Sequence, residues 1–240
     1  MPRQGHTLKR FDDELDELKA KVLSLGGLVE KAIAGATQAL MGGDLALAQQ
    51  TIERDMAINA LEVQCDELTS RMLVRRQPAA GDLRFIVSTI KVVTDLERMG
   101  DLAVGIAEGT MRLEATPVKP VRALAVMSEK VQAQVAAALD ALSRGDIELA
   151  FKVIEDDAAV DEMYHSLYRE ILTYMLENAQ RISGYIILSN TAKNLERIGD
   201  HATNICEMVI YTIRGHDIRH VDHDAAAALL RDEEAGGQAS

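Results

Sequence analysis

At 240 residues the chain is longer than one typical domain needs and long enough to bury one or two cores. Hydrophobic residues make up 48% and charged residues 27%, as in folded globular chains, but aromatics are only 3% and Trp is absent, so Ala, Leu, Ile, Val and Met must build the core. A net charge of −12 excludes a broad nucleic-acid surface, which needs many Lys and Arg to neutralise phosphates, and favours cations or basic protein patches as partners.

Residues 1–19 turn acidic and amphipathic where a secretory peptide needs a continuous apolar stretch, and no run of about 18 apolar residues follows anywhere. The reading is a cytosolic chain. The first helix is predicted over residues 8–41, ending at Gly42-Gly43-Asp44, where glycine stops one helix and Asp44 caps the next. The second covers 44–75 and closes on Arg75-Arg76, a solvated helix end. Gln77-Pro78-Ala79-Ala80-Gly81 separates it from a third helix over 81–113. All four prolines lie at positions 2, 78, 117 and 120, so Thr116-Pro117-Val118-Lys119-Pro120 is the natural linker and the rest of the chain is free to be helical. Helices are predicted beyond it over 121–143, 146–178 and 181–214, with breaks at Arg144-Gly145-Asp146 and across 178–183. The tail from Asp222 reads as frayed and disordered, and His216, His220 and His223 read as solvent-exposed. Cys65 and Cys206 have no metal or redox spacing and read as small buried hydrophobes.

The second set of helices repeats the first. Gly43-Asp44-Leu45-Ala46-Leu47-Ala48 matches Gly145-Asp146-Ile147-Glu148-Leu149-Ala150, and Leu96-Glu97-Arg98-Met99-Gly100-Asp101 matches Leu195-Glu196-Arg197-Ile198-Gly199-Asp200. The spacing shortens by three residues between the two matches, which places the difference at the Pro78 loop. Short connections make successive helices antiparallel, so the fold class is all-α: two tandem repeated three-helix bundles, residues 1–116 and 117–221, with a tail at 222–240. Apolar stripes at helical spacing supply the cores: Ile58, Leu61, Cys65, Leu68 and Met72, then Val92, Leu96, Met99, Ala103 and Ile106.

Glu97 and Asp101 lie four residues apart, about 40° on a helix, so both carboxylates share one face away from the apolar stripe. Glu196 and Asp200 repeat the pattern. The preceding helices add Asp55, Asn59, Glu62 and Asp66 in the first copy and Asp157 and Asp161, continued by Tyr164 and Tyr168, in the second. Side by side, these stripes concentrate acceptor oxygens that either raise their pKa values or bind a cation. An oxygen set without sulfur suits Mg, Ca, Mn or Fe better than Zn, with His201 able to add one nitrogen in the second copy. A solvated acidic face is the simpler alternative, with Arg98 and Arg197 as ion-pair partners. Gly100 and Gly199 each cost about 0.8–1.0 kcal/mol in a helix interior relative to Ala, which close approach of a neighbouring helix would explain. Phosphate-loop, nucleophile-elbow, His-Glu-x-x-His and dinucleotide-binding patterns are missing, as are the Glu-x-x-His pairs of di-iron bundles, so the chain reads as no enzyme.

Arg75-Arg76-Gln77-Pro78, Asp95-Leu96-Glu97-Arg98-Met99-Gly100-Asp101 and Lys193-Asn194-Leu195-Glu196-Arg197-Ile198-Gly199-Asp200-His201-Ala202-Thr203-Asn204-Ile205 resemble the PhoU family of phosphate-signalling regulators, over roughly residues 7–221. The resemblance implies a cytoplasmic, usually dimeric adaptor, peripheral to the membrane at most. Such an adaptor represses the phosphate-starvation response by linking the PstSCAB importer, through its PstB-type ATPase, to a PhoR-type sensor histidine kinase. It also implies divalent or ferric ions (Fe, Mn, Mg or Zn) on Asp55, Asn59, Glu97 and Asp101 and on Asp157, Asp161, Glu196 and Asp200, and makes Arg75, Arg76, Arg98 and Arg197 candidate partner contacts. Asn59 stands where the second copy has Asp161, so the second site is expected to hold metal more tightly, provided that Glu62 and Asp66, where the second copy has Tyr164 and Tyr168, lie a turn or more away from the cluster. A metalloenzyme with an open coordination position and a purely structural scaffold are the readings from other classes.

Overall fold

The computed structural model describes residues 4–75, 78, 80–215 and 217. Six long helices follow one another: α1 (Gln4–Gly42), α2 (Leu45–Arg75), α3 (Ala80–Leu113), α4 (Arg122–Arg144), α5 (Ile147–Glu177) and α6 (Ile182–Arg214), with one 3₁₀ turn at Ala179–Arg181 before α6. No strand occurs among the described residues.

The repeated Gly-Asp breaks have the same local chemistry. Gly43 and Gly145 take φ of 65° and 64°, the left-handed region that suits glycine. Behind them the Asp44 N–H donates to Ala39 O at 2.9 Å and the Asp146 N–H to Ala141 O at 3.0 Å, satisfying carbonyls at each helix end. Each aspartate then starts the next helix, Asp44 accepting from the Leu47 N–H at 3.0 Å and Asp146 from the Leu149 N–H at 2.9 Å.

Within each half the three helices pack on one another, α1 with α2 and α3, and α4 with α5 and α6. The expected stripes are the core: Ile58, Cys65, Leu68, Met72, Val92, Leu96, Met99, Ala103 and Ile106 are buried, and Leu61 packs against them. The halves join along α3 and α6, with α1 on α4 beside them, and their buried side chains form one continuous cluster. Asp95 of α3 meets His201 and Asn204 of α6, whereas Gly105 meets Asn194 and Gly109 meets Ile187 and Thr191. Rising numbers on α3 therefore face falling numbers on α6, and the two helices run antiparallel. Residues 116–120 form the irregular connection, with Val118 buried against the start of α6. No helix among the described residues is long and apolar enough to cross a membrane.

Candidate metal centre

The helix-three glycines explain how the acidic stripes meet. A Cβ at Gly100 would lie 3.1 Å from Ile58 Cδ1 and 3.5 Å from Asp55 Oδ1; one at Gly199 would lie 3.1 Å from Gln134 Oε1 and 3.2 Å from Asp157 Oδ1. Both positions lie at tight helix crossings that bring the second helix's acids to the third, as the sequence predicts.

In the second bundle α5 contributes Asp157 and Asp161, and α6 contributes Glu196 and Asp200. One oxygen from each of Asp161, Glu196 and Asp200 can be chosen so that all lie within 4.8 Å of one another. That spacing fits a single hard cation, whose oxygen ligands stand about 2.0–2.6 Å from the metal. Asp157 lies deeper and accepts a 2.7 Å hydrogen bond from Gln134 Nε2 of α4. Gln134 is buried, and its Oε1 has no hydrogen-bond partner among the described residues. The Asp200 carboxyl is pushed up to about 6, first by loss of solvation where it meets its neighbours, then by the charges of Glu196, Asp157 and Asp161, with Lys193 opposing. Burial also raises Asp157, against the Gln134 hydrogen bond and reinforced by Asp161 and Glu196. Lys193 lies on Glu196, Nζ to Oε1 and Oε2 at 2.5 and 2.6 Å, and 5.2 Å over the Tyr164 ring; its hydrogen bond to Glu196 raises its pKa.

The first bundle is built differently. Asn59 Nδ2 donates to Asp55 Oδ2 at 2.9 Å, while Asp55 Oδ1 is buried without a partner among the described residues. Arg98 spans Glu97 and Asp101, at 3.5 Å from each, so a side chain already supplies cationic charge there. Burial raises Asp55, opposed by the Asn59 hydrogen bond and reinforced by Asp101; burial and then Asp101 raise Glu97, with Arg98 opposing. Among the described residues, three-acid clustering occurs only in the second bundle.

The arginines divide likewise. Arg98 is an ion-pair partner of its own motif, whereas Arg197 is exposed and forms no ion pair with a described residue. Arg75 is exposed at the end of α2; Arg76 lies outside the described residues, as do residues 222–240 and His216, His220 and His223. The option of His201 as a nitrogen ligand is corrected by the structure. Its Nδ1 is hydrogen bonded to Asp95 Oδ1 at 2.8 Å, and Asn204 Nδ2 donates to the same oxygen at 3.1 Å, because one residue beyond Asp200 is a 100° turn toward α3. The sequence reading missed Gln134, Lys193 and Asp95 as participants. The legible signals were a glutamine interrupting the apolar stripe of Val131, Val135 and Ala138, and a lysine three residues before Glu196.

A family model described as the PhoU domain matches the chain twice, over residues 22–110 and 124–209. The phosphate-specific transport system accessory protein PhoU homolog of Pseudomonas aeruginosa is 44% identical over 218 residues, 90% of each chain. The phosphate-specific transport system accessory protein PhoU of Escherichia coli K12 is 34% identical over 226 residues, 94% of each. The crystal structure of PhoU from Pseudomonas aeruginosa superposes with a TM-score of 0.83 at 43% identity, covering 86% of this chain and 100% of that one. The regulatory protein PhoU of the phosphate transport system of Streptococcus pneumoniae gives 0.80 at 31% identity, covering 86% and 98%. With both copies of the domain matched and the same fold found in these relatives, the chain belongs to the PhoU family.

Proposed function

We propose that this chain regulates phosphate uptake and represses the phosphate-starvation response when phosphate is plentiful. It does so as a cytoplasmic, dimeric adaptor between the PstB-type ATPase of a phosphate importer and a PhoR-type sensor kinase. The observation that carries the reading is the duplicated PhoU domain, shared at 44% identity with a relative named as an accessory protein of the phosphate-specific transport system. No catalytic step is assigned to it. Residues 1–116 and 117–221 act as its two units, divided in the irregular connection between α3 and α4.

In this reading Asp161, Glu196 and Asp200 hold a divalent or ferric ion, with Asp157 behind them, fixed by Gln134. When bound, the ion neutralises the crowded carboxylates and stiffens the α5–α6 crossing. Asp55, Asn59, Glu97 and Asp101 form the weaker counterpart, since Asn59 offers a neutral amide and Arg98 already pairs with two of the acids. Arg75, Arg76 and the exposed Arg197, which forms no ion pair with a described residue, are left to meet acidic partner surfaces. The test is deletion of the gene in a strain carrying a phosphate-starvation reporter. The reporter is expected to stay on in high phosphate and to be silenced by the restored gene; unchanged expression in the deletion strain would refute the role.

A further inference from the structure

A cavity of about 370 Å³, unused by the acidic site, opens where α1, α3, the end of α4 and the end of α6 converge. Its wall is mainly apolar, with Val22, Phe85, Val92, Leu142 and Met208 inside and Leu23 at the edge, 41% exposed. On this wall Ser88 Oγ is buried without a hydrogen-bond partner among the described residues, and the same is true of Arg84 Nε one turn earlier on α3. Two cations frame the opening, Lys19 and Arg144. Each is paired with an acid of its own helix, Asp16 at 3.8 Å and Asp140 at 3.4 Å, in exposed contacts that a new acidic partner displaces at small cost.

The chain leaves α6 at this opening. Thr212 and Ile213 line the cavity, and Gly215, at φ 79°, lies against the Arg84 guanidinium, where a Cβ would be 3.6 Å from Cζ. Past that point the sequence holds a run of six apolar residues, Ala225-Ala226-Ala227-Ala228-Leu229-Leu230. Asp222 and Asp224 precede it and Asp232, Glu233 and Glu234 follow, with Arg231 as the single basic residue other than histidine from 222 to 234. By composition this segment has too little apolar surface to fold by itself. The cavity supplies a place to bury that surface, and the tether raises the local concentration of the segment to the millimolar range.

We propose that residues 225–230 dock in this cavity of their own chain, with Leu229 and Leu230 as anchors and the flanking acids meeting Lys19 and Arg144. The nine residues from 216 to 224 span up to about 30 Å when extended, ample for a seat that begins two residues from the exit.

The test is cysteine cross-linking in the full-length protein. Cys65 and Cys206 are buried and their thiols are pushed up to about 11 and about 12, so they compete little with added, exposed cysteines. Leu23→Cys with Leu229→Cys is compared under mild oxidation with Met56→Cys plus Leu229→Cys. Met56 is 74% exposed on α2, which contributes no residue to the cavity, and the fourteen residues from 216 to 229 extend to about 46 Å. Docking predicts an intramolecular disulfide at least tenfold faster with Leu23→Cys. Equal rates overturn the proposal, and so does a concentration-dependent covalent dimer, which would seat the segment in a second copy. As an independent readout, amide exchange of residues 225–230 should accelerate at least tenfold in the Leu229→Asp plus Leu230→Asp variant; unchanged exchange also overturns it.

Discussion

Replacing Asp200 by Asn should stabilise the metal-free protein at neutral pH and do little in acid. The ordinary carboxylate value of 3.8 is raised to about 6 in the fold, by burial and by Glu196, Asp157 and Asp161. A group whose folded pKa lies above its unfolded value contributes stability below the unfolded pKa and loses it as pH rises through the folded one, so this site weakens the protein between about pH 4 and pH 7. The displacement is worth about 3 kcal/mol without screening. Asp200 is exposed at its edge, and solvent and counterions reduce the effect to about 1 kcal/mol. The amide of Asp200→Asn stays neutral, so in chelator the variant should unfold at higher urea than the parent at pH 7.5, by about 1 kcal/mol, with the gap shrinking to a few tenths at pH 4. No gain at pH 7.5, or the same gain at both pH values, would show that the four carboxylates do not strain one another. Added Mn²⁺ should reverse the order, since a cation that binds only the native state stabilises the protein that keeps its carboxylate.

Three further outcomes follow from the same geometry. Bound metal after equal exposure, measured by elemental analysis, should fall more in Glu196→Ala plus Asp200→Ala than in Glu97→Ala plus Asp101→Ala; equal losses would remove the ranking, and no metal on the parent protein would return the acids to a solvated or partner-binding face. Gly184→Ala should destabilise by about 1–2 kcal/mol in urea unfolding, because overpacking exceeds the helix-propensity gain: its Cβ would lie 2.6 Å from the Thr116 carbonyl oxygen and 2.9 Å from both Val118 methyls. A double-mutant cycle of Asp95→Ala and His201→Ala should give a coupling of about 0.5–1.5 kcal/mol for the contact that ties α3 to α6, and a coupling of zero would reduce it to coincidental proximity.

The helices and their breaks were legible because local chemistry decides them. Glycine at positive φ followed by an aspartate cap works within six residues, so Gly43-Asp44 and Gly145-Asp146 announce themselves without any tertiary contact. The acidic stripes were equally legible, since helical spacing alone puts Glu196 and Asp200 on one face, and the duplicated glycines pointed to the tight crossings that bring the second and third helices together. Which groups meet across those crossings was decided only by the packed bundle. Periodicity states which face of a helix is buried or polar but says nothing of the helix opposite it. The turn of His201 toward Asp95, the arrival of Gln134 from α4 behind Asp157, and the antiparallel seam of α3 and α6 each depend on a relative placement of distant segments. The two motifs share Leu-Glu-Arg-x-Gly-Asp, yet Arg98 neutralises its own acids while Arg197 stands apart and Lys193 takes Glu196 instead. Such pairings follow from the charges that each bundle places within a few ångströms, and those distances exist only once the helices have packed.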